Sequence, residues 1–395
     1  MPQIGLTPDV RELKDKMKEF INGTVIPAEP VLMQDDEESS RTMAGIKQAA
    51  KDQGLWALGH PVEIGGAGLG FMPFVHLNEV IGRSHFGSTA VGSASMQDSI
   101  MMHLYASEEQ KERWLAPMVA GEIYPSVGLT EPEVAGSDPT LMQTRAVRDG
   151  DEWVINGHKW FTSGASRSAF TTCFAMTNPK AESKWERFSS IIVPTDTPGY
   201  EIVRAVPTMG TTQGQHCEVR YNDVRVPATN LLGPEGQGFL IAQKRLGPGR
   251  IFHCMRWLGQ AERAFELMCE RAKARWAHGS YLAEKGEIRT WIADSAAEIQ
   301  AARMMTLDAA RAYDEGDEAR VEIGMIKFWG GHVLHNVIDR AIQVHGALGV
   351  TSDTPLEFMY REARYARLYD GPDEVHKMTV ARHVLRDPFN NVPWR

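Results

Sequence analysis

The spacing of apolar residues changes twice along the chain, and this constrains the fold more than any other feature. Over residues 7–55, Val10, Leu13, Met17 and Phe20 recur at three- and four-residue intervals, the signature of one buried helix face, and residues 47–58 repeat it. Residues 74–81 read as a helix, and Ser107 with Gln110 forms a capping box ahead of an amphipathic run. From about Ile123 short β-type runs take over (147–154, 189–194, 201–203 and 218–224), broken by Gly, Pro, Asn and Asp. After Gly238 helical spacing returns. Leu258, Ala261, Phe265, Met268 and Ala272 share one face, and Ile288, Trp291, Ser295, Ile299, Ala302 and Met305 share another. A third segment covers 318–346 and a fourth 372–386, with a loop at 279–285. The expected fold class is therefore α+β: an N-terminal all-α domain (1–122), a middle antiparallel β-barrel-like domain (123–236) and a C-terminal four-helix bundle (237–395).

Within the β region, residues 128–165 combine a small, hydroxylated stretch, GLTEPEVAGSDP, with VINGHKWFTSGA. Asn156-Gly157 is the pair a type I′ turn prefers, which predicts a hairpin between strands 153–155 and 158–162. The hydroxyls of Thr130, Ser137, Thr162 and Ser163 and the Trp160 indole would then line adjoining loops, a set suited to a flat aromatic cofactor with a phosphate tail. An ordinary hairpin beside a polar loop has the same pattern. The glycine-rich run 65–70 lacks the Lys-Ser/Thr of a phosphate loop and is expected to be a structural turn. The small residues at 87–99 could pack helices tightly or border a pocket.

The 395 residues carry a net charge of −9 with no long Lys/Arg block, which argues against nucleic-acid binding. No run approaches the roughly 18 apolar residues of a membrane span, and the N-terminus lacks an apolar signal core. Cys173, Cys217, Cys254 and Cys269 lie far apart without a C-x-x-C pair, as expected of reduced thiols in the cytoplasm. No metal site is expected.

Taken in order, TEPEVAGSDP, NGHKWFTSGA, VRVPATNLLGPEGQGF, AIQVHGALGV and YDGPDEVH resemble the motifs of the FAD-dependent acyl-CoA dehydrogenase family over essentially the whole chain. The resemblance implies FAD, an acyl-CoA substrate, electron-transferring flavoprotein as acceptor, and a homo-oligomer, either a dimer or a homotetramer built as a dimer of dimers. It assigns Leu129, Thr130 and Thr162 to the isoalloxazine, Trp160 to the flavin face away from substrate, and Ser137 to the pyrophosphate. Arg275, Gln343, Gly346 and Ala347 would reach the FAD of a neighbouring subunit, and Gly371 and Glu374 would also contact cofactor. Arg250, Tyr369 and Gly371 fall on the substrate side. Asp370 occupies the position of the catalytic base: it would take the α-proton while a hydride leaves the β-carbon for flavin N5, giving a trans-2-enoyl thioester. On residues alone, Asp-Gly-Pro equally reads as a turn between helices.

The chain departs from the family pattern in several places. Asp370 stands where most members carry Glu, as in the subgroup that includes family members ten and eleven in animals. Val134 is an insertion in the TEPxAGSD motif, Pro372 replaces a common Thr, Ala347 a Gly, and His278 a Phe. Gly249 leaves no carboxylate at the alternative base position before Arg250. Two rivals stay open on this basis: an acyl-CoA-oxidase-like or nitroalkane-oxidase-like flavoprotein that reduces oxygen, and a non-catalytic nucleic-acid-binding scaffold, which the acidic charge disfavours.

Overall fold

The structure is a computed structural model and describes residues 6–209, 216–389 and 392. The chain is mixed α+β, helical towards both ends with a central sheet. It packs as two compact units. One comprises the residues up to Trp56, Leu69–Val91 and everything from Gly247 onward; the other comprises Ala57–Gly68 and Gly92–Leu246. No helix among the described residues is long and apolar enough to cross a membrane.

The second unit is built on one sheet of eight strands: β1 (Pro125–Gly128), β2 (Arg145–Asp149), β3 (Glu152–Ser163), β4 (Phe170–Met176), β5 (Phe188–Pro194), β6 (Tyr200–Ala205), β7 (His216–Pro227) and β8 (Leu231–Leu232). Their order is β6-β7-β3-β2-β4-β5-β8, with β1 beside β4. Pairing is antiparallel except for β1 and β2 against β4. One face buries Trp153, Ile155, Ile191, Val193, Val219, Val224 and Val226. The glycine-rich run forms loop as expected: a Cβ on Gly66 would lie 2.1 Å from the His60 carbonyl oxygen, so the chain closes on itself there only with glycine. The capping box at Ser107 and Gln110 has both of its reciprocal hydrogen bonds.

The Asn156-Gly157 hairpin does not form. β3 runs unbroken through both residues, and the turn is made earlier, at Gly150 (φ 59°) between β2 and β3. Asn156 instead occupies an irregularity in the pairing with β7, where its amide donates to Asp223 Oδ1 and its Oδ1 accepts from the Asp223 amide, both at 2.9 Å. Gly157 is needed for close approach, since a Cβ there would lie 2.3 Å from Thr144 Oγ1. Competing turn chemistry at Gly150-Asp151 and a cross-strand partner for the Asn side chain thus decide the register.

In the first unit, Thr7 caps the helix Pro8–Phe20 through Val10 N (3.4 Å). The long helices expected after Gly238 are present as Gly238–Ala274, Gly286–Asp314, Arg320–His345 and Asp373–Arg386, with an additional helix at Leu356–Tyr365. The expected loop at 279–285 begins in a two-stranded turn that pairs the preceding Trp276–Ala277 with Ser280–Tyr281. Helix Phe71–Ile81 meets Gly238–Ala274 at bare backbone. A Cβ on Gly259 would lie 1.8 Å from Glu79 O, and one on Gly82 would lie 2.2 Å from Arg256 Cα. Arg303 ties the same crossing by donating to Glu79 Oε1 (2.6 Å) and to Glu262. Gly259→Ala is therefore expected to force the helices apart and cost about 1–3 kcal/mol, read as a lower urea midpoint with an unchanged slope.

Candidate active site

The segment after helix Leu356–Tyr365 must reverse into helix Asp373–Arg386 within a few residues. It does so with two consecutive left-handed residues, Asp370 (φ 54°) and Gly371 (φ 98°). Asp is among the few non-glycine residues that enter this region readily, so the backbone itself suits Asp at 370. Gly371 is required for space as well, since a Cβ there would lie 2.7 Å from His376 Nε2.

Such a reversal leaves carbonyls pointing inward, and cations receive them. Buried Lys327 donates to Ala366 O (2.7 Å), Tyr369 O (2.6 Å) and Gly371 O (3.4 Å). Arg250 Nε donates to Asp370 O (2.9 Å), and His376 Nε2 lies 3.1 Å from the same oxygen. A carbonyl only accepts, so His376 presents Nε2–H. Burial, helped by Arg250, holds His376 down at about 4, so the ring is neutral near pH 7. Burial also lowers Lys327 and Arg250, with Asp370 pulling both back.

The Asp370 side chain is 17% exposed, and its Oδ2 lies 3.3 Å from His253 Nε2. His253 packs its ring against Tyr369 at 5.0 Å, and Tyr369 OH accepts from Trp257 Nε1 at 2.8 Å. The neighbouring acid is spent structurally: Asp373 is buried and bound to Arg367 (2.8 Å) and His332 (3.1 Å). The turn thus presents one carboxylate, fixed at its backbone, with a buried oxygen that lies beside His253 without a hydrogen bond among the described residues.

The second unit gathers the residues assigned to the flavin. β3 pairs Lys159 with Val219 and Thr162 with Cys217, with a register shift between, and Phe161 in that interval has φ 50°. The extra residue of this bulge places Lys159 and Thr162 on one face although they are three apart. Trp160 N donates to Thr130 O at 3.0 Å, which joins the two motifs. Beneath them, fully buried Lys159 donates to Glu131 Oε1 (2.8 Å) and Leu129 O (3.0 Å). Glu131 also accepts from Gln143 N (2.5 Å) and Thr144 N (2.9 Å). Burial alone would push Glu131 up, but Lys159 and these hydrogen bonds outweigh it and hold the carboxyl below its ordinary value.

Thr162 Oγ1 and Trp160 Nε1 are buried without a hydrogen-bond partner among the described residues. Beside them Leu129, Thr130, Val134, Ala135 and Gly136 line a small cleft, so the inserted Val134 borders it. The orphaned polar atoms of Thr162 and of the Trp160 indole, near a small, mainly apolar cleft, fit a flat heterocycle with hydrogen-bonding edges, and the residues present are compatible with FAD. Ser137 is exposed just before the turn Pro139–Leu141.

The first unit brings Asp370, Gly371, Tyr369 and Arg250 together. Arg275, Gln343, Gly346 and Ala347 are exposed, outside this cluster, and Glu374 is exposed in the first turn of the last helix. Lys327, His253, His376 and the Lys159–Glu131 pair were not singled out by the sequence reading. Lys327 had a signal, being the one Lys in the apolar helical stretch IGMIKFWGG.

Models of the acyl-CoA dehydrogenase N-terminal, middle and C-terminal domains match residues 7–122, 126–224 and 236–385. The probable acyl-CoA dehydrogenase FadE2 of Mycobacterium tuberculosis is 46% identical over 348 residues, covering 86% of this chain and 84% of that one. Acyl-CoA dehydrogenase family member 11 of Homo sapiens is 39% identical over 412 residues, covering 98% of this chain. The chain spans about half (52%) of that protein's length, and 37% of family member 10 of Mus musculus, to which it is 41% identical over 402 residues and 97% of this chain. Among solved structures, butyryl-CoA dehydrogenase of Megasphaera elsdenii superposes with a TM-score of 0.84 at 26% identity, covering 98% of this chain and all (100%) of that one. An acyl-CoA dehydrogenase of Geobacillus kaustophilus superposes with a TM-score of 0.86 at 26% identity, covering 96% and 99%.

Proposed function

We propose that this chain, which belongs to the acyl-CoA dehydrogenase family of FAD-dependent oxidoreductases, oxidises a saturated acyl-CoA thioester to the trans-2-enoyl-CoA with Asp370 as its base. The observation that carries the reading is the locked turn: a mostly buried carboxylate, its backbone oxygen held by Arg250 and His376 and one side-chain oxygen 3.3 Å from His253 Nε2. A carboxylate in water is too weak a base for an α-proton. The reading requires that the bound acyl chain exclude water from Asp370, which raises its basicity. Arg250, Lys327 and His376 keep the turn from swinging as the proton moves, so the proton is taken at a fixed atom.

FAD, when bound, supplies the acceptor for the hydride that leaves the β-carbon. Thr130, Thr162 and the amides near Leu129 would hold its ring, Trp160 would cover one face, and Ser137 would contact the pyrophosphate. Hydrogen-bond donors there stabilise the charge a reduced flavin gains. The exposure of Arg275, Gln343, Gly346 and Ala347 supports a role towards a neighbouring subunit's cofactor in a homo-oligomer. Electron-transferring flavoprotein is the proposed acceptor, and the four cysteine thiols suit a cytoplasmic setting.

The test is anaerobic titration of the holoprotein with a panel of saturated acyl-CoAs. The visible flavin band is expected to bleach with at least one chain length and to return only slowly in air. Absence of bleaching across the panel contradicts the reading. Prompt reoxidation with stoichiometric peroxide would make the protein an oxidase.

A further inference from the structure

The geometry points to His158 as a positioning residue for the cofactor cleft: its two ring nitrogens donate to two carboxylates, Glu133 on the loop that borders the cleft and Glu218 on β7, and so pin that loop to the sheet. The inference rests on the reading of this cleft as the FAD site.

The loop is one residue longer than the family pattern, and each of its ends is fixed locally. At the start, Glu131 is held by Lys159 and by the amides of Gln143 and Thr144. At the end, Asp138 Oδ1 accepts from Thr140 N (3.2 Å) and from Thr140 Oγ1 (2.6 Å). Between them Val134, Ala135 and Gly136 line the cleft. A Cβ on Gly136 would lie 2.9 Å from Thr130 Cγ2, so the loop folds closely back onto Thr130. The extra residue gives this middle stretch more freedom to lift away. Glu133 sits at its beginning, and His158 Nδ1 lies 2.5 Å from Glu133 Oε1.

On the other side of the ring, His158 Nε2 lies 2.9 Å from Glu218 Oε1, and Glu218 Oε2 accepts from Arg204 Nε (2.7 Å). Burial would push Glu218 up, but Arg204 and His158 outweigh it and hold the carboxyl below its ordinary value, so it only accepts. A neutral ring has one N–H and can serve one carboxylate. Serving both takes an N–H on each nitrogen, so the bridging ring carries a positive charge. Glu218 is the fixed jaw, because Arg204 holds it independently of His158. Glu133, whose side chain is 47% exposed, is the jaw that opens when the ring lets go. The charged groups around the ring are Glu133 from the loop, Glu218 and Arg220 from β7, and Arg204 and Glu201 from β6; Arg220 pairs directly opposite His158.

Release of FAD from diluted holoprotein, read as recovery of flavin fluorescence, tests the clamp. His158→Leu and Glu133→Ala are each expected to release FAD about fivefold faster than wild type, the scale of one partly exposed ion pair. Both remove the same contact, so the double variant should also be about fivefold faster, whereas independent effects would multiply to about 25-fold. Raising the pH should speed release from the wild type in step with the loss of one ring proton, followed at His158 in 15N-histidine-labelled holoprotein. His158→Leu should show no such rise over the same range. Unchanged release in either single variant, multiplying effects in the double variant, or wild-type release that ignores the titration of the ring overturns the proposal. If the wild type carries no flavin and takes none from solution, the cofactor reading fails instead.

Discussion

Asp370→Asn is expected to bind FAD as the wild type does and to resist reduction by every acyl-CoA, its bleaching slowed about a thousandfold or more. The substitution isolates the carboxylate. Asn tolerates the left-handed backbone that residue 370 adopts. The contacts from Arg250 and His376 are to the backbone oxygen and survive. What disappears is the basic lone pair. Thermal melts within a few degrees of wild type, together with the lost bleaching in anaerobic stopped flow, would locate the defect in proton abstraction.

Lys159→Met should be the most damaging single change to the second unit, costing about 3–5 kcal/mol. Lys159 and Glu131 are 0% and 2% exposed, so removing the ammonium strands a carboxylate where water cannot reach it. The effect has a pH signature. In the wild type Glu131 is held below its ordinary value, so it contributes stability that is full above the unfolded value of about 4.3 and lost as pH falls through the folded one. In the variant burial dominates and Glu131 rises above its unfolded value. It then weighs against folding at neutral pH, and that penalty fades as it protonates. The gap between variant and wild type in urea denaturation should therefore be widest near neutrality and narrow towards about pH 4. A gap independent of pH would mean the cost is lost packing alone. Because Lys159 also holds Leu129 O, weaker FAD retention should accompany the loss.

Much of this architecture was legible in the sequence, because long helices and capping boxes are written locally. The face through Val10, Met17 and Phe20 is buried as its spacing predicts, and Ser107 caps as its partner Gln110 requires. What the residues alone could not settle was decided by tertiary partners. Asn156-Gly157 reads as a turn until Asp223 and Thr144 are seen to occupy its amide and its empty Cβ position. β4 escaped notice because nearly all of it is buried on both faces, which erases the alternation that marks a strand. Asp370 was singled out through its motif, while the groups packed around its turn could not be. Lys327 lies 43 residues earlier in the chain and His253 more than a hundred, and no local pattern links them to the turn. Val134, conspicuous as an insertion, borders the cleft beside Thr130.

The central claim, that the carboxylate at 370 removes the α-proton, can be measured apart from the hydride. An acyl-CoA with sulfur in place of the β-carbon has no β-hydride to lose, so only the proton step remains. Incubated with holoprotein in D2O and read by mass spectrometry, it should take up deuterium at the α-carbon with the wild type and not with Asp370→Asn. Equal deuterium uptake with both proteins would contradict the account.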